Sequence, residues 1–334
     1  MSTLAPKGLA WVTVRQFRRT LWTAAALVVL ALAGTLALRV WDAQTPDRWV
    51  EDGYWVRGDD NLAYEVLRLA MEYASVYLLL LPLAAGAVIA GPLVAREFET
   101  GTYRLGLTQS VAPAAWLRAK VLTAGAAAVV VTLALMGVFR IGWDRVSGTY
   151  QLAWGDRGPY EAGGVVLLAY VVAAVGVGTL VGLLVRRTLL AMAATGLVVG
   201  VTMMVLGAVR WSFLPVVTVT GPVGPTLTMP EKALMTETGL TTRSGGRMDE
   251  AVCWDRAAAA VPDDAKLLSD EAWNNAWNRA LDTCHTEHGV TGQYLDYHPY
   301  AHYWPTQLIE TGILLALAAL ALLAAFRVLR ARLP

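Results

Sequence analysis

The sequence is poor in charge. Acidic and basic side chains make up 16% of its 334 residues, where a soluble domain carries roughly a quarter. With 56% hydrophobic residues, that scarcity excludes an ordinary water-soluble globule. A formal net charge of +1 provides no broad cationic surface, so nucleic acid is excluded as a partner, since it needs clustered Lys and Arg. Signatures of soluble chemistry are missing too: no G-x-x-x-x-G-K-[ST] phosphate loop, nucleophile elbow or zincin helix occurs. Cysteine is nearly absent, with Cys253 and Cys284 the sole two.

What the chain has instead is long apolar runs. A bilayer core about 30 Å thick requires roughly 20 apolar residues of helix, and six windows meet or nearly meet that length: 21–40, 76–94, 121–139, 163–185, 188–209 and 307–326. Only helices satisfy their own backbone polar groups within a segment of this kind. The first window is too long for a signal-peptide core and lacks a clean small-x-small cleavage site, so it is expected to be a retained span.

The basic residues orient these spans. With both termini inside, the cytosolic pieces are 1–20, 95–120, 186–187 and 327–334. They hold 13 of the 27 Lys+Arg and, of the 26 Asp+Glu, only Glu97 and Glu99. The expected fold class is therefore an all-α integral membrane protein with six transmembrane helices, N-in and C-in. Residues 1–20 mix Trp11, Val12, Val14 and Phe17 with Lys7, Arg15, Arg18 and Arg19, which suits a short amphipathic helix on the inner leaflet. A plain basic flank that sets topology is the alternative.

Four regions follow: this elbow (1–20), spans one to five with an inner loop at 95–120 (21–209), an extracytoplasmic segment of roughly 95 residues (210–306), and the last span with a basic tail (307–334). The Pro/Gly-rich start of 210–306 is expected to be irregular or re-entrant. Residues 264–284 read as an amphipathic helix, with Asp263 or Ser269 as its cap and Gly289 just beyond its end. Small residues four apart (Ala174, Gly178, Gly182; Gly196, Gly200) mark close helix packing, within or between chains.

The span interiors are almost free of ionisable residues; Glu310 sits near the outer boundary. Ion-coupled transport normally needs such groups at depth, so the sequence argues against it. The four histidines, His285, His288, His298 and His302, cluster near Cys284. Their spacing suits Zn²⁺ only if both pairs are helical and facing; Pro299 interrupts one pair, and the surrounding tyrosines suit an interfacial belt, so no metal is expected. Both cysteines fall outside by the charge-derived topology, where disulfides persist, and a Cys253–Cys284 bridge is expected; two free thiols are the alternative.

The one sizeable inner loop reads Gly91-Pro92-Leu93-Val94-Ala95-Arg96-Glu97-Phe98-Glu99-Thr100-Gly101-Thr102-Tyr103-Arg104, then Leu107-Thr108-Gln109-Ser110 and Trp116-Leu117-Arg118-Ala119-Lys120. Apolar Phe98, Tyr103 and Leu107 in this polar setting imply that something covers them. The loop, with Trp11 to Arg19 before the first span and Trp304, Gln307 and Glu310 before the last, resembles permease subunits of bacterial ABC exporters of the type-2 class. In that family an acidic E-x-E-x-G-T element between spans two and three forms a coupling helix. The resemblance implies that Glu97, Phe98, Glu99, Gly101, Thr102 and Arg104 couple the chain to a separate ABC ATPase, with ATP and Mg on that partner and no cofactor in this chain. It also implies pairing with a second permease copy, lipid contact, and residence in a bacterial plasma membrane as a transporter subunit without ATPase activity of its own. The apolar bundle suits an amphiphilic or hydrophobic cargo such as an antibiotic, lipid or peptide. A membrane-anchored binding or sensor protein working through 210–306 is the rival reading.

Overall fold

The computed structural model describes residues 15, 18–45, 61–103, 112–149, 152–261 and 269–332. The amphipathic helix expected over 1–20 lies almost wholly outside the described residues, as do Arg104 and the Thr108-Gln109-Ser110 tripeptide. The chain forms two compact units, one of residues 1–213 and 304–334 and one of residues 214–303.

The first unit is helical. Its elements are α1 (Arg18–Gln44), α2 (Leu62–Leu78), α3 (Leu80–Leu83), a π-helical segment (Ala84–Ala90), α4 (Gly91–Thr100), α5 (Pro113–Val146), α6 (Arg157–Gly163), α7 (Val166–Val185), α8 (Thr188–Val209), a 3₁₀ turn (Arg210–Ser212) and α11 (Tyr303–Arg332). Six continuous helical stretches among the described residues are long and apolar enough to cross a membrane. The outward faces are as apolar as a bilayer requires: Leu189, Leu197 and Met204 along α8 are 80%, 68% and 65% exposed. In water such faces would be an aggregation hazard; in lipid they are solvated.

The helices outrun their apolar windows. The second stretch spans Leu62–Thr100, so it begins well before the apolar window 76–94. Asn61 caps it, its Oδ1 accepting from the Tyr64 amide at 3.0 Å. The extra turns carry charges that are paired between helices. Asp42 at the end of α1 is buried and accepts from Arg145 of α5 at 2.9 Å, and Arg145 also lies over the Tyr64 ring.

Two prolines frame the π-helical segment: Pro82 in α3 and Pro92 in α4. Each lacks the N–H that would continue an α-helical ladder, and the wider turn re-pairs the backbone, with the Gly91 amide donating to the Gly86 carbonyl. This segment meets the small-residue row of α7. A Cβ on Gly178 would lie 2.6 Å from the Gly86 carbonyl oxygen, and one on Gly182 would lie 2.6 Å from that of Gly91. The row therefore packs within the chain, backbone against backbone, as close approach in lipid demands.

The second unit corrects the all-α expectation. It contains a four-stranded antiparallel sheet in the order β1-β4-β2-β3, built from β1 (Val217–Gly221), β2 (Leu234–Thr242), β3 (Arg247–Met248) and β4 (Val290–His298). The stretch expected to be irregular supplies β1, and the tyrosine-rich run expected to be an interfacial belt is the central strand β4. Aromatic and β-branched residues suit both settings; the alternation decides. Asp296 pairs with Thr218 and Glu237 on one face, while Tyr297 pairs with Val217 and Met235 on the other. On the first face Thr218 and Arg247 donate to the Asp296 carboxylate at 2.5 and 2.6 Å. Burial by itself raises Asp296, but these hydrogen bonds outweigh it and hold the carboxyl below its usual range.

On the other face Leu240 packs with Cys253 and Cys284. These come from α9 (Ala251–Ala260) and α10 (Asp270–Glu287), and they form a disulfide with Cα atoms 5.6 Å apart. Helix α10 begins later than expected, capped by Ser269, whose side chain accepts from the Ala272 amide; Asp263 lies outside the described residues. Gly289 follows its end with φ +62°. The bridge closes a sequence separation of 31 residues, which in the chain-entropy model stabilises by about 3–4 kcal/mol. Reduction, or Cys253→Ala with Cys284→Ala, should therefore lower the melting temperature of this unit. Thermal denaturation followed by near-UV dichroism, alongside mass spectrometry of the non-reduced protein, checks it; an unchanged transition would show the bridge to be stabilising nothing.

Candidate functional site

The hairpin turn at Arg186–Arg187 and the end of α4 lie on the same end of the helical unit. Here α4 stops at Gly101, which takes the left-handed conformation (φ +71°) that glycine adopts without strain. Thr100 turns back to the Arg96 carbonyl at 2.8 Å, and its hydroxyl lies 3.0 Å from that of Thr102.

Both carboxylates of the acidic element are engaged by the chain itself. Glu97 forms an ion pair with Lys120 near the start of α5, and Lys120 is buried with its ammonium over the Trp116 ring. Glu99 accepts from the amide and the hydroxyl of Thr188, at 2.9 and 2.5 Å. Thr188 opens α8, and the residue before it has no capping side-chain bond. Glu99 is thus an N-cap supplied from another helix, satisfying an amide that the helix start leaves open. Sequence proximity suggests Arg96 and Arg104 as partners of the acidic pair; of these, Arg104 lies outside the described residues, and the partners found are Lys120 and Thr188.

Phe98 sits between them in sequence and is covered by its own chain. Its ring stacks on Tyr103 at 4.7 Å, meets Trp116 edge-on at 6.3 Å, and carries the Arg186 guanidinium at 5.3 Å. The cover expected over Phe98 and Tyr103 is supplied in part by the chain itself, and both rings stay half-buried. Beneath them Val94, Trp116, Leu117, Leu183, Ala325 and Leu329 form one buried core from α4, α5, α7 and α11. The end of α4 is therefore fastened to α5 through Glu97 and to α8 through Glu99, over a core shared with α7 and α11. Arg96, Arg118, Arg186 and Arg187 stay exposed around it.

The opposite end, where the chain leaves for residues 214–303, holds a cluster that the sequence analysis missed. Arg210, directly after α8, is buried and bonds both Glu310 of α11 (3.0 and 3.1 Å) and Glu161 of α6 (2.6 Å). Tyr170 of α7 donates to Glu310 at 2.5 Å, and the Tyr160 ring lies 3.8 Å from the guanidinium carbon. Gln307 locks α11 to the break between α6 and α7, accepting from the Val166 amide and donating to the Tyr160 carbonyl. Glu310 and Arg210 are thus buried partners near the ends of their helical stretches, and the view that the bundle is almost free of ionisable groups is corrected. The signal was present in sequence as Glu310 inside an apolar window and Arg210 next to one.

Among the described residues, the one group of three possible metal ligands is Cys253, Cys284 and His288. Its two sulfurs are bonded to each other, so neither is the thiolate that a metal takes. His298 and His302 face one another with Nδ1 atoms 3.0 Å apart, in a strand end and a 3₁₀ turn rather than a helix.

Six apolar helical stretches, paired charges at their ends and a helix clamped between spans define a multi-pass membrane protein of the permease type. The sequence profile described as ABC-2 membrane transporter related matches residues 24–210, and the chain belongs to that family. Comparison with curated proteins and with solved structures returns no match.

The Glu99 cap yields a direct test. Thr188→Val with Glu99→Gln should open the first turn of α8, so amides at 188–191 should exchange hydrogen several-fold faster while the buried middle of α7 keeps its protection. Mass-spectrometric hydrogen exchange on the protein in detergent measures this; unchanged exchange at 188–191 would mean the cap is not holding the helix start.

Proposed function

We propose that this chain is the membrane-spanning subunit of an ATP-driven exporter in a bacterial plasma membrane. Both termini and the α4 end face the cytosol, and residues 214–303 lie outside. The charge distribution supports this orientation, since dense Arg clusters flank the α4 end. Two copies pair around a shared path, and a separate ATPase, carrying ATP and Mg, docks beneath each α4.

The observation that carries the reading is the double fastening of α4. A docking element transmits force only if it is tied to the spans it moves, and Glu97–Lys120 and Glu99–Thr188 tie it to spans three and five. The acidic pair therefore acts inside the subunit, while exposed Arg96, Thr100 and Thr102, together with Arg104, are left for the partner's surface. ATP binding closes the ATPase pair, α4 shifts with it, and the two-state bundle follows. Cargo is amphiphilic or hydrophobic, matching walls of Ala, Val and Leu.

A compact, disulfide-stapled unit at 214–303 favours one second reading, a membrane-anchored binding protein in which the spans serve as anchor. The two separate cleanly. In vesicles holding the chain with its co-purified ATPase, Glu97→Ala with Glu99→Ala should abolish cargo transport and uncouple ATP turnover from cargo, with insertion intact. Failure of any ATPase to co-purify, or normal transport by the double variant, would overturn the exporter reading or the role given to α4, respectively.

A further inference from the structure

We propose that the Glu161–Arg210–Glu310 cluster is a proton-binding site that takes up one proton per chain, seated on the Glu161 carboxyl. Two carboxylates meet one guanidinium, and the side chains of Glu161, Arg210 and Glu310 are 3%, 2% and 0% exposed. Fully ionised, the cluster holds a net negative charge out of reach of water, a condition that buried groups relieve by changing protonation state. A single proton restores neutrality.

Hydrogen bonding chooses its seat. Glu310 accepts from Tyr170 and twice from Arg210, so a proton there would displace an existing bond. Glu161 receives one side-chain bond, from Arg210 to Oε1, beside a contact with its own backbone amide, and its Oε2 is buried with no hydrogen-bond partner among the described residues. That oxygen is where a proton costs the site no existing bond. Burial pushes Glu161 up to about 7 even with the Arg210 guanidinium beside it.

The elements packed on α6 bring no competing charge. Arg157 of the same helix turns to α8 and donates to the Met203 carbonyl. On α2, Ser75 fills the space beside Gly158, and Glu72 is held by Arg68. On α5, Arg145 is paired with Asp42 and Arg140 with Asp144. From α7 comes Tyr170, from α6 itself Tyr160, and both are phenols neutral at this pH. The cluster joins α6, α7, α8 and α11 at one end of the bundle, so its proton is released when those helices part. Only the side from which the proton arrives, outside the cell, rests on the topology given above.

The sign follows from linkage. A carboxyl raised above its unfolded value makes the folded state bind more protons than the unfolded chain, so stability rises as pH falls through about 7. Full-length protein in nanodiscs of neutral lipid is titrated from pH 8.5 to 5.5 by infrared difference spectroscopy. A protonated-carboxyl carbonyl band should grow in with a midpoint near 7, and proton uptake after a pH jump, read with an indicator dye, should be one per chain. Glu161→Gln should remove the band and flatten the pH dependence of the melting temperature. Glu310→Gln cancels the excess charge, so Glu161 should stay ionised and the midpoint should fall by one unit or more. Absence of the band in wild type, its survival in Glu161→Gln, or an unmoved midpoint in Glu310→Gln would each overturn the proposal. So would a midpoint that shifts when Na⁺ is exchanged for choline, which would make the ligand a metal cation. Should both variants fail to insert, wild-type band and stoichiometry decide alone.

Discussion

Inside a bilayer there is no water to accept a hydrogen bond or screen a charge, and the architecture of the helical unit follows from that single constraint. Backbone groups are satisfied along each helix. Hydrophobic attraction between helices is weak where lipid tails are as apolar as leucine, so contact comes from close backbone packing of the kind made by Gly86, Gly91, Gly178 and Gly182. Several charged side chains find their partner on a neighbouring helix: Asp42 with Arg145, Glu97 with Lys120, Glu310 with Arg210. These pairs stand near the ends of the spans, where a charge is least expensive to hold, and each bonds elements that are distant in sequence.

The spans were legible because the apolar windows are long and the signal is additive over some 20 residues. Their ends were not. A helix continues past its apolar window when its charged turns find partners on other helices, and the partner of Arg145 is 103 residues away in Asp42. The acidic element was legible as a cluster of residue types but not as contacts, since Glu97 and Glu99 are bonded to Lys120 and Thr188 rather than to the arginines nearest in sequence. The buried Arg210 cluster was hidden for the same reason, each member looking like a boundary residue when taken singly. In residues 214–303 the failure was of period. Ser269, Gly289 and the two cysteines were local signals and were read, but Tyr and Val serve an interface and a strand equally well, and only the cross-strand register separates them.

The two polar ends share their helices. Helix α7 contributes Leu183 to the core beneath α4 and Tyr170 to the Glu310 site, while α11 contributes Leu329 to the one and Glu310 to the other. Helix α8 is held at its start by Glu99 and followed at its other end by Arg210. Helices are stiff along their axes, so a displacement imposed on α4 reaches the Arg210 cluster through these three without any loop having to carry it. The contacts at both ends are discrete: an ion pair, a helix cap, a bidentate guanidinium and a locked glutamine are made or broken rather than stretched. The weakest link along the route is the π-helical segment between α3 and α4, where the backbone ladder is already widened and two prolines remove donors. It packs against α7 with the backbones in close approach at Gly86, Gly91, Gly178 and Gly182, so a turn of α4 relative to the rest of its span bears directly on α7.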